Sequence, residues 1–192
     1  MRIIFTIALL MIFMGKISSA QTEQAFYVAA VVKNGSMISQ NSILAGGRTG
    51  WIVSNNIFLG AAFYSLINKV ETNQIDPLSS RKLLALFNCG GLEIEFIYPS
   101  NNIIHGSALF FVGGGGIKPR AADVSVPHSS YNGQSVLIWE PQVNLEADLT
   151  RLLHLGLGLS YRIVTGVDGY IGLQNRDLSG LNSLASLRFG IH

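Results

Sequence analysis

Apolar and polar positions alternate most cleanly between Leu153 and Ile163. Leu153, Leu155, Leu157, Leu159, Tyr161 and Ile163 share one parity, and His154, Gly156, Gly158, Ser160 and Arg162 share the other. Successive side chains of a strand point to opposite faces, so this spacing predicts a strand with one greasy face and one small, polar face. The preceding stretch repeats the pattern. Glu140, Gln142, Asn144, Glu146 and Asp148 alternate with Trp139, Pro141, Val143, Leu145, Ala147 and Leu149. A helix would mix the two sets around its circumference. Less regular versions of the same period occupy residues 25–33, 42–53, 57–67, 82–97, 103–112 and 183–192, which makes eight predicted strands.

The connections alternate in length. Ser54-Asn55-Asn56, Pro99-Ser100-Asn101-Asn102 and Thr150-Arg151 read as tight turns built from turn-forming residues. Longer loops are expected between them, over residues 34–41, 68–81, 113–134 and 166–182. Short and long connections in strict alternation imply neighbouring antiparallel strands with all long loops at one end.

Composition sharpens this picture. Apolar residues make up 48% of the chain and charged residues only 12%. Yet beyond residue 20 no apolar run is long enough to cross a bilayer as a helix. A membrane barrel accommodates both facts, because its outward face is apolar and its inward face polar. The fold class expected is all-β, an eight-stranded antiparallel up-and-down transmembrane β-barrel. Trp51 and Tyr98 beside the short turns, and Phe63, Phe110, Trp139 and Tyr161 toward the long loops, are placed to form interfacial aromatic girdles.

Residues 1–20 carry a basic start at Arg2, an apolar run from Ile3 to Met14, and the small residues Ser18 and Ala20 before Gln21. That is the pattern of a cleaved secretory signal peptide, leaving residues 21–192 as the barrel domain. Arg2 and Lys16 belong to this segment, so the remaining chain balances its basic residues against its 11 acidic ones. Such a surface does not suit nucleic acid. The lone Cys89 excludes an internal disulfide and is expected to be a small packing residue.

An eight-stranded barrel has an interior that side chains can fill. The inward set is expected to include Arg48, Glu93, Glu95, Glu140, Glu146, Asp148, Arg162 and Arg188, arranged as a plug of Arg–carboxylate contacts, since unpaired charges there are costly. Small inward residues such as Gly46, Gly156 and Gly158 instead allow a narrow channel. Alternation alone does not reveal which face is inside, so a soluble lipocalin-like carrier with an apolar interior shares the pattern.

The candidate chemistry is sparse. His105 and Ser107 share a strand face, and Glu93 or Glu95 on a neighbouring strand would complete a hydrolytic trio acting on a lipid; a hydrogen-bonded lumen is the simpler reading. The four-glycine run Gly113–Gly116 lacks the Lys-Ser/Thr ending of a phosphate loop and is expected to open a flexible outer loop. Asn34-Gly35 reads as a turn rather than as part of a glycosylation triplet. His105, His128, His154 and His192 show no metal-ligand spacing, and Lys118, Arg120 and His128 are expected in a solvated loop. No catalytic, cofactor or metal site is expected. The partners expected are outer-membrane lipids and an extracellular ligand of the long loops, with the chain a monomer.

Leu44–Val53, Trp139–Arg162 and Ser186–Gly190 carry a resemblance to the small OmpA/OmpX-type outer-membrane barrels, and to the uncharacterised outer-membrane barrel proteins of Bacteroidota. It covers nearly all of residues 21–192 and implies short periplasmic turns and long outer loops. The chain departs from it at the end, where His192 stands in place of the usual terminal aromatic residue and Phe189 lies three positions earlier.

Overall fold

The computed structural model describes residues 25–54, 56–76, 80–98, 103–121 and 132–190; the proposed signal segment lies outside them. Nine strands form one antiparallel sheet: β1 (Ala25–Met37), β2 (Gln40–Ser54), β3 (Ile57–Leu66), β4 (Glu71–Ile75), β5 (Lys82–Ile97), β6 (Ile104–Arg120), β7 (Gln134–Asp148), β8 (Leu153–Thr165) and β9 (Gly180–Gly190). Each long strand pairs with its sequence neighbour, β1 pairs with β9, and β3 pairs with β5. The sheet therefore closes as an eight-stranded barrel. The short β4 stands outside the ring and pairs only with the end of β5.

Closure decides which face is inside. The outward columns are apolar: Leu92, Ile94 and Phe96 on β5, Val143 and Leu145 on β7, and Leu155, Leu157 and Leu159 on β8 are all exposed. Arg48, Glu93, Glu95, Glu140 and Arg188 are buried in the interior. This arrangement is the reverse of a lipocalin-like carrier, whose apolar face lines a cavity. Ring pairs stud the outer surface, Phe26 with Trp51 at 5.5 Å and Phe110 with Trp139 at 6.1 Å between centroids.

Strand occupies most of the loop expected over 34–41 and the start of the one expected over 113–134, and the loop expected over 68–81 holds β4. Residues 34–41 form the extended ends of β1 and β2, with Asn34 and Gly35 paired inside the ladder. The turn falls at Ile38-Ser39, whose φ values of 52° and 57° are both left-handed. The reason is tertiary. Ile38 is buried, and its amide donates to the Asp177 carbonyl at 2.6 Å, so a packed contact outweighs the turn preference of Asn-Gly. Ser39 has no such burial, so Ser39→Gly is expected to stabilise the barrel by about 0.5–1 kcal/mol in urea unfolding, by removing left-handed strain.

The second correction concerns Gly113–Gly116. The run is not a flexible loop start: β6 continues through it to Arg120, with Gly113 paired to Gly91 and Gly115 to Cys89. A Cβ at Gly113 would lie 2.4 Å from the Gly90 carbonyl oxygen, and one at Gly115 equally close to that of Asn88. These two glycines face the lumen and let β5 and β6 approach where no side chain fits. Lys118 and Arg120 are accordingly strand residues, while His128 lies outside the described residues.

The end bearing the long connections carries a lid. The loop after β8 forms a 3-10 turn (Tyr170–Gly172) and a one-turn helix, α1 (Asn175–Leu178). A capping box at Gln174 and Asp177 sets the start of α1. Val167, Leu173 and Leu178 from this loop pack with Met37, Ile38, Val70, Ile117 and Val136 in one buried apolar cluster.

Candidate functional site

The lumen is where the charged residues converge. Lys33, Arg48, Arg162 and Arg188 are buried there, matched in number by Glu93, Glu95, Glu140 and Glu146. Buried charge is tolerated only with close partners, so the geometry of each contact matters.

Glu95 on β5 is the hub. Its Oε2 accepts from Arg48 Nη2 at 2.5 Å, from Tyr27 Oη at 2.9 Å and from Arg188 Nη2 at 3.4 Å. Its Oε1 accepts from Ser107 Oγ at 2.5 Å and from Asn144 Nδ2 at 3.3 Å. Arg48 also places Nε 2.8 Å from Glu93 Oε2, and Arg188 bonds Glu146. The small residues of neighbouring strands make these reaches possible. Ala29 lies in register with both Arg48 and Arg188, and Gly60 lies opposite Glu93 on β3. The Tyr27 ring stacks on Phe58 at 4.2 Å and lies 4.1 Å from the Arg188 guanidinium carbon, so an aromatic floor supports the ion cluster.

A second contact sits nearer the lid. Lys33 Nζ is 2.7 Å from Glu140 Oε1, which also accepts from Ser160 Oγ at 2.5 Å. Lys33 was absent from the expected inward set because the polar parity of β1 is masked by Asn34 and Ser36 on its other face. The ammonium also rests over the Tyr64 ring at 4.0 Å.

The eight expected lumen residues divide accordingly. Arg48, Glu93, Glu95, Glu146 and Arg188 meet in the Glu95-centred cluster, and Glu140 joins Lys33 and Ser160. Arg162 departs from the expected Arg–carboxylate pattern. Its Nε donates to the Leu178 carbonyl at 2.7 Å and its Nη2 to the Ser36 carbonyl at 3.2 Å. It thereby fastens α1 and the tip of β1 to the wall. Asp148 lies at the end bearing the short turns, with its side chain 39% exposed, and contacts His154 Nδ1 at 2.6 Å. It borders the lumen rather than plugging it.

The hydrolytic trio is not assembled. Ser107 donates to Glu95, whereas His105 Nε2 lies 3.2 Å from Glu146 Oε2, so imidazole and hydroxyl are committed to different carboxylates. The glycines that suggested a channel are closely flanked by neighbouring strands. A Cβ at Gly46 would lie 1.9 Å from the Phe63 carbonyl oxygen, and one at Gly158 would lie 2.2 Å from Asn144 Oδ1. Cys89 is buried in the wall beside Gly115. Among the described residues no His, Cys, Asp and Glu group has the arrangement of a metal site.

No family model and no curated protein matches the chain. Solved structures do. Neisserial surface protein A superposes with a TM-score of 0.60 at 8% identity, covering 89% of this chain and 99% of that one. The N-terminal β-barrel domain of Pseudomonas aeruginosa OprF gives 0.56 at 10% identity, over 87% and 97% of the two chains. A major outer membrane protein of Thermus thermophilus gives 0.56 at 10% identity, over 88% and 100%. The fold is that of the eight-stranded outer-membrane barrels. At such low identity the likeness is one of fold, and the lumen contacts are read from this chain alone.

Proposed function

We propose that this barrel resides in the bacterial outer membrane as a closed, non-enzymatic, monomeric scaffold. It acts structurally or through a ligand of its outer loops, with residues 1–20 removed on export. The observation that carries this reading is the filled interior. One end of the lumen is tied across by Glu95 and its two arginines, and the other is covered by the apolar cluster under α1. On this reading an ion entering the lumen meets paired charges at one end and an apolar cover at the other. Rigid barrels of this kind leave recognition to their connections, which vary without disturbing the scaffold.

Two measurements test it. Outer-membrane fractionation with an unboiled-versus-boiled detergent gel is expected to show a membrane band whose migration changes on boiling. The protein in planar lipid bilayers is expected to give no conductance steps. Regular single-channel steps would refute the closed-scaffold reading, and a soluble band with no heat shift would refute the membrane placement.

A further inference from the structure

Outside the lumen the basic residues are not evenly spread. Among the described residues, every exposed Lys or Arg except Arg151 and Arg176 gathers on one rim, where β4, β5 and β6 run beyond the apolar belt. Strand register sets their positions. Lys118 pairs with Leu86 and Arg120 with Leu84, so both point to the outward side that carries Leu86. Lys82 pairs with Ile75 on that same side. The Ala85 amide donates to the Val70 carbonyl at 2.7 Å, which brings exposed Lys69 alongside Leu86. Neighbouring strands lie about 4.8 Å apart, so Lys69, Lys118 and Arg120 flank β5 as one ridge. Lys82 and exposed Arg81 extend it at the start of β5. Against these cations stand Glu71, 3.6 Å from Lys82 with both side chains more than half exposed, and the buried Asp76. The ridge therefore carries net positive charge.

Its direction is informative. These side chains project sideways from the barrel wall, level with exposed Leu86, which Asn88 and Gly90 separate from Leu92, Ile94 and Phe96 in the same outward column. Below Lys118 on the same face, Gly116 and Gly114 leave the wall bare. A Cβ at either would meet its nearest atom at only 3.7 or 3.8 Å, so packing does not require glycine there. The long Lys and Arg stems can lie down over this bare surface toward the belt. A partner that meets the wall from the side at this height is the membrane itself.

We infer that this ridge binds the phosphate-bearing headgroup of an outer-leaflet lipid, with Lys69, Lys118 and Arg120 supplying the cations and the belt below them meeting its acyl chains. The inference rests on the membrane placement proposed above and adds the lipid class to it.

The test uses the purified full-length chain in neutral detergent, mixed with bisphosphorylated lipid A or with the same lipid after phosphate removal, and native mass spectrometry of what stays bound. Wild type is expected to retain the phosphorylated lipid at least about tenfold better. A Lys69→Gln, Lys118→Gln, Arg120→Gln triple variant that still shows the heat shift on the gel is expected to lose that preference. Millimolar inorganic phosphate is expected to leave retention unchanged. If the triple variant does not fold, the wild-type protein decides alone: phosphorylated-lipid retention should fall at least about tenfold between low and high salt. Equal retention of the two lipids, an undiminished folded variant, a flat salt response or displacement by inorganic phosphate would each overturn the inference. A protein that shows the heat shift and fractionates with the outer membrane, yet fails this test, loses the inference and keeps the membrane placement.

Discussion

Glu95→Ala is expected to be the most damaging single change among the lumen charges, costing about 3–5 kcal/mol of barrel stability. Removing this carboxylate leaves the Arg48 and Arg188 guanidiniums buried with reduced compensation, and it strips acceptors from Tyr27, Ser107 and Asn144 at once. Arg188 keeps Glu146 and Arg48 keeps Glu93, so the barrel is weakened rather than abolished. The temperature at which the compact gel band converts to the unfolded one reports the loss. A triple change, Arg48→Met with Glu93→Gln and Glu95→Leu, is expected to recover much of it, because Arg188 keeps Glu146 and no member of the cluster is left as a buried charge without a partner. A Glu95→Ala band that converts at the wild-type temperature would show that the cluster is not what holds the two walls together.

The second large effect separates neighbouring glycines. Gly113→Val is expected to cost about 4 kcal/mol or more and to leave little compact band, whereas Gly114→Val should stay within about 1 kcal/mol of wild type. The two positions differ by one residue and hence by a face. At Gly113 a Cβ meets the Gly90 carbonyl and the Phe111 ring at 2.4 and 2.7 Å, inside a wall whose partner strand also carries glycine, Gly91. At Gly114 the nearest atom is 3.8 Å away and the side chain enters the exterior. Refolding into detergent micelles followed by the same gel distinguishes them. Equal tolerance at both positions would mean that the run is not a paired part of β6.

These two experiments bear on opposite aspects of the same lumen. Glu95 tests whether charge is held by partners across the barrel, and Gly113 tests whether the wall is as tight as the backbone register requires. A scaffold that depends on both has little interior freedom, which is consistent with leaving recognition to the outer rim.

Much of the architecture was legible before folding because a strand writes its period directly into the chain. The alternation of Leu153–Ile163 with His154–Arg162, the turn-forming residues at 54–56, 99–102 and 150–151, and the long spacings between other strands are local properties. They were enough for strand number, antiparallel order and the placement of most charged residues on one face. Local preference failed at the other end of the barrel. Asn34-Gly35 favours a turn and Gly113–Gly116 favours flexibility, yet both lie in paired strand, because burial of Ile38 and the close approach of β5 to β6 are decided by segments distant in sequence.

The candidate site divides the same way. Sequence alone determined that Arg48, Glu93, Glu95, Glu140, Glu146, Arg162 and Arg188 share the polar parity of their strands. It could not determine which parity lies inside, since a barrel and its inverse have the same alternation; only closure of β3 on β5 with the leucine columns outward decides that. Nor could it choose partners. Lys33 meets Glu140 from three strands away around the ring, and Arg162 turns from the carboxylates to one backbone carbonyl of the lid and one at the tip of β1. The physical reason is that side-chain parity is set by the local backbone, whereas a salt bridge across a lumen depends on strand order, shear and the small residues that clear its path.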